Sequence, residues 1–218
     1  MLFGPPGCGK GTQAALLSQW CGIPAISTGE MFRAECQAGT DLGRRASAVM
    51  AAGGLVGDEI VNEMVARRID RGDCARGFLL DGYPRTVAQA RYFTQLLGNR
   101  GLPEPMVIHL AIRDDVLLLR LTARRQCPMC KRIYNLLSQP PRSPGQCDQD
   151  GVALLTREDD REEVIRRRLA AYQAQTGPVL AWYGSSFVRR IDADQSPEQV
   201  SAAIRRLLKV RAPVLAAR

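Results

Sequence analysis

The 218-residue chain is 45% apolar and 24% charged, a globular balance that excludes a disordered, collagen-like or disulfide-stapled protein. It contains no run of about 18 apolar residues, the length a membrane-crossing helix needs. Met1-Leu2-Phe3 leads into a glycine-rich loop with neither a basic start nor an apolar leader core, so the expected compartment is the cytoplasm. The net charge of +8 rests on 27 arginines and three lysines (Lys10, Lys131, Lys209), which suits a polyanionic ligand, either nucleic acid or a phosphorylated small molecule.

Hydrophobic spacing alternates between short apolar runs and helical periods. Residues 1–4 read as a strand end, 10–21 as a helix and 23–26 as a short strand. Residues 29–52 read as two helices broken near Gly39-Thr40-Asp41. A helix over 58–71 opens with Asp58 and Glu59 in its first turn. A buried strand over 77–81 ends in Asp81. Then come a helix over 87–97, an apolar strand over 106–112 and a helix over 116–125. Residues 126–156 break the alternation. They carry Pro140-Pro141, Pro144-Gly145 and a cysteine cluster, and read as a small insertion of irregular or β structure. A long helical stretch over 159–183 is expected to break near Gly177-Pro178. A last strand over 187–191 and a helix over 197–208, with Pro197 at its first position, close the pattern. Alternation of this kind predicts an α/β fold with a parallel, doubly wound sheet.

The segment Gly4-Pro5-Pro6-Gly7-Cys8-Gly9-Lys10-Gly11-Thr12 is a variant phosphate loop. Its glycines let backbone N–H groups turn inward onto phosphate oxygens, and the helix that follows points its positive end at them. Lys10 adds a mobile charge for the terminal phosphates. Asp81 ends an apolar strand, where ligand crevices open in such sheets. A simple turn aspartate before Gly82 is the alternative, and Tyr83-Pro84-Arg85 beside it weighs against that.

Six segments in order make the chain resemble the adenylate kinases, members of the nucleoside monophosphate kinases. They are residues 4–12, 26–33 (ISTGEMFR), 54–58 (GLVGD), 77–86 (GFLLDGYPRT), 156–160 (TREDD) and 166–169 (RRRL), with Arg120 and Arg124 between them. The resemblance implies a P-loop core with a five-stranded parallel sheet flanked by helices, over residues 1–26, 57–119 and 158–218. It also implies a helical AMP-binding flap over 27–56 and a lid over 120–157. The implied reaction is magnesium-dependent transfer, ATP + AMP giving two ADP, by a monomer that engages neither nucleic acid nor membrane.

By position, Gly7, Cys8, Gly9, Lys10, Gly11 and Thr12 would hold the ATP phosphates. Arg120 and Arg124 would lie against ATP, Ile133 and Tyr134 near its adenine or ribose, and Gln195 against its base through the backbone. Thr28 and Gln89 would meet the AMP adenine, and Arg33 and Arg85 the AMP phosphate. Gly54, Leu55 and Val56 would line that pocket, approached by Gly82, Tyr83 and Pro84. Arg157 and Arg168 would close on the transferring group, and Asp81 would orient Mg2+ through its water shell.

Elementary chemistry agrees. Phosphoryl transfer needs two polyanions held in line and the moving charge stabilised, with little covalent work from the protein. Guanidinium forks suit phosphate better than ammonium groups do. Consecutive Arg166, Arg167 and Arg168 point in different directions on a helix, so at most two reach one ligand. Arg44, Arg45, Arg67 and Arg68 read as surface residues, and His109, in an apolar strand, as a packing residue. Cys8 inside the loop suggests sensitivity to thiol reagents.

Cys127-x2-Cys130, 16 residues, then Cys147-x2-Asp150 has the spacing of a structural zinc knuckle. Asp150 takes the fourth place. Asp148 is its rival, but adjacency to Cys147 would cramp its approach. A UMP/CMP-type kinase is the alternative function, and Thr28 with the long metal-bearing lid favours AMP. A nucleic-acid binder is disfavoured by 6% aromatic content and by arginines that fall in phosphate motifs.

Overall fold

A computed structural model of the chain describes residues 1–210. The end of the expected core segment, 211–218, lies outside the described residues. The core is a five-stranded sheet. Its strands are β1 (Leu2–Phe3), β2 (Ala25–Ser27), β3 (Leu79–Asp81), β4 (Val107–Ala111) and β7 (Val188–Asp192), in the order β2-β3-β1-β4-β7. All four pairings are parallel. The helices are α1 (Lys10–Cys21), α2 (Thr28–Gln37), α3 (Asp41–Ala51), α4 (Asp58–Ile69), α5 (Val87–Asn99), α6 (Asp114–Thr122), α7 (Glu162–Ala171), α8 (Gly177–Tyr183) and α9 (Pro197–Val210).

The strands read as near-continuous apolar runs because both faces of a parallel sheet are covered. Successive side chains serve opposite layers. Phe3, Leu80 and Val107 join the layer with Phe93 and Val65, while Leu2, Leu79 and Ile108 join the layer with Leu17 and Ile204. β1 is central and short. It pairs with β3 on one side and β4 on the other, and the chain crosses it in passing from β3 to β4. The crevice at the carboxyl ends of these strands is where such sheets bind ligands.

Three local departures from the expected elements, and the expected break near Gly177-Pro178, have physical reasons. β2 starts at Ala25 because Pro24 has no N–H for the ladder; its carbonyl accepts from Leu79 N at 2.9 Å. The helix expected over 116–125 stops at Thr122, and Arg124–Gln126 forms β5. It pairs antiparallel with β6 (Ile133–Asn135) in the register Arg125 to Tyr134. That hairpin begins the small inserted unit, whose core is Cys127, Tyr134 and Cys147. The long helical stretch breaks ahead of Gly177 as a π turn over Tyr172–Thr176, since Pro178 cannot donate to the preceding turn. The turn lets Thr176 Oγ1 donate to the Arg85 carbonyl at 3.0 Å. Arg68 is not a free surface residue: it is 17% exposed, forks onto Asp73 and reaches the central cleft.

Candidate active site

The loop between β1 and α1 needs glycine for two separate reasons. Gly4, Gly7 and Gly9 all have positive φ, at 145°, 86° and 99°. A Cβ on Gly4 would also lie 2.6 Å from the Leu110 carbonyl, and one on Gly7 would lie 2.8 Å from Leu121 Cγ. The turn thereby brings backbone N–H groups to the start of α1. Lys10 Nζ folds back over the loop and donates to the Gly4 and Pro5 carbonyls at 2.8 and 2.9 Å. Cys8, by contrast, is 2% exposed and packs under the loop, and burial raises its thiol pKa. The expected thiol sensitivity therefore lacks an accessible thiolate at this position.

The loop forms the floor of a cleft of about 920 Å³. Asp81 lines it at the end of β3, and β6 crosses above with Ile133 facing Gly11. Arginines converge from four elements. Arg33 comes from α2, Arg85 from the loop after β3, Arg124 from β5 and Arg168 from α7, with Arg157 just before α7. Arg166 and Arg167 on the same helix pair instead with exposed Glu162 and Glu163.

Carboxylates hold these cations apart. Asp160, its side chain fully buried, accepts from Arg124 Nε at 2.7 Å and Nη2 at 2.5 Å, and from Arg168 Nη1 at 3.1 Å. Arg168 also meets Asp159 Oδ2 at 3.0 Å. Glu30 Oε1 accepts from Arg33 at 2.6 Å and from Arg157 at 2.9 Å, while Arg157 Nε donates to Gln126 at 2.6 Å. Burial opposes ionisation of Glu30, but the hydrogen bond and charge of Arg33, with Arg157 and Gln126, outweigh it and hold its pKa below the usual 4.5. Asp159 is likewise lowered: burial opposes, and Arg168 and Arg124 prevail.

The arginines themselves are strained electrostatically. Burial, then Arg124 and Arg33, brings Arg157 down to about 10. Burial, then Arg168, lowers Arg85, and burial lowers Arg168. Arg33 Nε is buried without a partner. Among the described residues, Lys10, Lys131 and seven arginines (Arg33, Arg68, Arg85, Arg120, Arg124, Arg157 and Arg168) line the cleft with Glu30, Asp81, Asp159 and Glu198, and Asp160 lies behind them, so nine cations meet five carboxylates, a surplus that suits an anionic ligand.

The remaining expected residues divide by the direction of their side chains. Arg120 lines the cleft and donates to the Ala193 carbonyl at 2.9 Å, next to Gln195, whose amide leans on Asp192 at 3.4 Å. Thr28, Gly54, Leu55, Val56, Gly82 and Gln89 border a second, narrow cavity of about 40 Å³. Thr28 Oγ1 already donates to the Gly82 carbonyl at 2.9 Å. Tyr83 turns away: it is 1% exposed, stands edge-on to Phe93 at 5.6 Å, and donates to Asn62 Oδ1. Tyr134 also turns away, because neighbours on a strand face opposite sides. Its hydroxyl accepts from Asp148 N at 2.8 Å and touches Cys147 Sγ at 3.4 Å. Ile133 alone of that pair faces the loop with its side chain. Sequence reasoning passed over Glu30, Gln126, Asp159 and Asp160; the adjacent acids after Arg157 in TREDD were the available signal.

In the inserted unit the ligand atoms of Cys127, Cys130, Cys147 and Asp150 all lie within 4.8 Å of one another. Asp150 Oδ2 is 3.1 Å from Cys127 Sγ and 3.6 Å from Cys147 Sγ, and the Cys130 and Cys147 sulfurs are 3.6 Å apart. Sulfurs about 2.3 Å from a tetrahedral zinc ion stand about 3.8 Å apart, so the donor set fits that ion. Asp148 is engaged elsewhere, its Oδ1 accepting from Arg142 N at 2.8 Å. Burial opposes ionisation of Cys147, yet the Tyr134 hydroxyl and the N–H groups of Asp150 and Gln149 hold its thiol at about 7.

Residues 2–188 match the adenylate kinase family. The chain is similar to the adenylate kinase of Anaeromyxobacter sp. strain Fw109-5, 44% identical over 209 residues, covering 95% of this chain and 98% of that one. It is 43% identical to the adenylate kinase of Thermotoga petrophila over 210 residues, covering 95% and 96%. It is 44% identical to that of Symbiobacterium thermophilum over 210 residues, covering 96% and 97%. A phosphate loop, a cleft of guanidiniums and these matches agree, and the chain belongs to the adenylate kinase family, whose activity is phosphoryl transfer to a phosphate acceptor.

Proposed function

We propose that the chain catalyses ATP + AMP giving two ADP, and that five arginines with Lys10 form its transfer site. The observation that carries this is their convergence in one cleft, short of negative charge, over a glycine loop. The amides of residues 7–12 bind the ATP phosphates, with Lys10 leaving its carbonyl partners to meet them. Arg120 and the 193–195 backbone hold the ATP base side. Arg33, with its unpartnered Nε, and Arg85 bind the AMP phosphate, while Thr28, Gln89 and the 54–56 wall take the base. Tyr83 and Pro84 contribute through the backbone only. Arg124, Arg157 and Arg168 lie on the moving phosphoryl group and stabilise charge as it develops.

Residues 27–56 act as the AMP flap and 120–157 as the lid, closing on the core to exclude water. Glu30 already joins flap to lid through Arg157 and Gln126. Asp81 and Thr12 face the place where Mg2+ would sit with ATP; when bound it neutralises phosphate oxygens. Cys127, Cys130, Cys147 and Asp150 would hold Zn2+, which supplies folding free energy to a unit with little core. No helix among the described residues is long and apolar enough to cross a membrane. We read the protein as cytoplasmic, and as a monomer since one chain carries every group named.

The test is steady-state ADP formation from ATP with AMP, UMP, CMP or GMP. AMP is expected to exceed the others, and Lys10→Ala to lower kcat by about 100-fold or more. Faster turnover with UMP or CMP, or an unimpaired Lys10→Ala chain, would refute the reading.

A further inference from the structure

Gln89 is 2% exposed and sits in the first turn of α5, against the narrow cavity it shares with Thr28, Leu55 and Val56. A primary amide can occupy one volume two ways round, oxygen and nitrogen exchanged. Here its neighbours permit one. The backbone N–H of Arg85 can only donate, and Gln89 Oε1 accepts from it at 2.7 Å. An ionised carboxylate can only accept, and Gln89 Nε2 donates to Asp58 Oδ1 at 2.7 Å. Exchange would set donor against donor at Arg85 and oxygen against oxygen at Asp58.

Asp58 is fixed in turn. Its Oδ2 accepts from the Thr86 hydroxyl at 2.8 Å, and that hydroxyl caps α5 by accepting from Gln89 N at 3.1 Å. Asp58 opens α4 two residues after the 54–56 wall, so one carboxylate ties the wall to the amide opposite.

With these two bonds made, Gln89 keeps one N–H and one oxygen lone pair. A 6-aminopurine presents the complement, an amino donor beside an unprotonated ring nitrogen. A 6-oxopurine presents an oxygen beside a ring N–H, and would need the amide reversed. We propose that Asp58 is a positioning residue for base selection: by locking the Gln89 amide it makes the acceptor site accept a 6-aminopurine monophosphate and refuse a 6-oxopurine one. Refusal of this kind arises from polar groups left unpaired by the wrong partner. The inference rests on the placement of the AMP base beside Gln89 proposed above.

The test compares wild-type, Asp58→Ala and Asp58→Asn chains, with ATP as donor and AMP or IMP as acceptor, alongside thermal melts. Asparagine is the conservative rescue. It keeps an oxygen for Gln89 Nε2 and offers an N–H to the Thr86 hydroxyl. Losing one lock should raise the KM for AMP about tenfold and lower the AMP-over-IMP preference in kcat/KM at least about tenfold. The KM for ATP stays within about twofold, because loss of the lock leaves the ATP side untouched, and Asp58→Asn keeps most of the preference. Should Asp58→Ala melt below the assay temperature, Asp58→Ser supplies the same comparison, its hydroxyl being too short to reach both partners. An unchanged AMP-to-IMP ratio in Asp58→Ala or Asp58→Ser would overturn the proposal, as would an equal loss in Asp58→Asn. A wild-type chain that makes no ADP from AMP would sink the underlying reading and the proposal with it.

Discussion

Asp160 is the anion on which two cleft arginines depend, and Asp160→Asn isolates that role at nearly constant volume. The wild-type carboxylate is fully buried, between Arg124 at 14% and Arg168 at 19% side-chain exposure. With charge centres taken as about 4 Å apart, in an effective dielectric near 20, each pair is worth about 4 kcal/mol before desolvation. Burying the carboxylate costs several kcal/mol, so the wild-type cluster gains little net. Removing its charge is different: Arg124 stays buried without the carboxylate it forks onto, Arg168 keeps Asp159 at 3.0 Å, and an amide N–H is turned on one of them. The expected loss is about 3–5 kcal/mol. At about 2–4 °C per kcal/mol for a chain of this size, the melting temperature falls by about 6–20 °C. Arg124 and Arg168 also lose their positions, and displacement by about 1 Å costs about 100-fold in kcat. Thermal melts and ADP formation at a temperature where both chains are folded measure the two effects. A melting shift under about 2 °C together with a kcat within about threefold of wild type would show that the carboxylate neither balances nor places these arginines.

The other predictions follow from the same geometry. Purified protein should carry one zinc per chain by metal analysis; Asp150→Ala should surrender it to a chelator that leaves wild-type and Asp148→Ala chains loaded, and equal retention by all three would contradict the assigned ligand. The folded pKa of Glu30 and of Asp159 is lowered, so their contribution to stability is complete above the ordinary carboxylate values of 4.5 and 3.8 and is lost as pH falls through the lowered values. The melting temperature of Glu30→Gln should therefore sit below wild type at pH 7 and converge on it under acid; a gap that widens as pH falls would contradict the sign. An alkylating reagent followed by mass spectrometry should label exposed Cys21 well before buried Cys8, and rapid labelling of Cys8 would show that the loop opens without nucleotide.

The alternation of strands and helices was legible because parallel strands buried on both faces read as short apolar runs. The phosphate loop was legible because few sequences need three left-handed glycines before a lysine. Residue order could not show that Arg124 lies on a strand: Val116 to Thr122 is helically spaced, and only pairing with 133–135, through contacts distant in sequence, stops the helix. The direction of Tyr83 and Tyr134 was also hidden. Each sits in a motif beside the cleft, yet a large ring gains more from burial than from the mouth of a polar site. Glu30, Asp159 and Asp160 were visible as motif letters, but their work is to hold cations, which appears only once Arg33, Arg124, Arg157 and Arg168 are placed around them. The grouping of Cys127, Cys130 and Cys147 was legible from the spacing of paired knuckles, while the choice between Asp148 and Asp150 needed the folded chain, which turns Asp148 to Arg142 N and leaves Asp150 beside the sulfurs.

The proposed transfer site brings two nucleotides phosphate to phosphate over the glycine loop. A crystal structure with a bisubstrate of two adenosines joined by five phosphates tests it most directly. The expected result is a phosphate bridge within hydrogen-bond distance of Lys10, Arg85, Arg124 and Arg168, with Lys10 Nζ gone from the Gly4 and Pro5 carbonyls. A bridge lying outside the cleft, or a Lys10 still bound to those carbonyls, would contradict it.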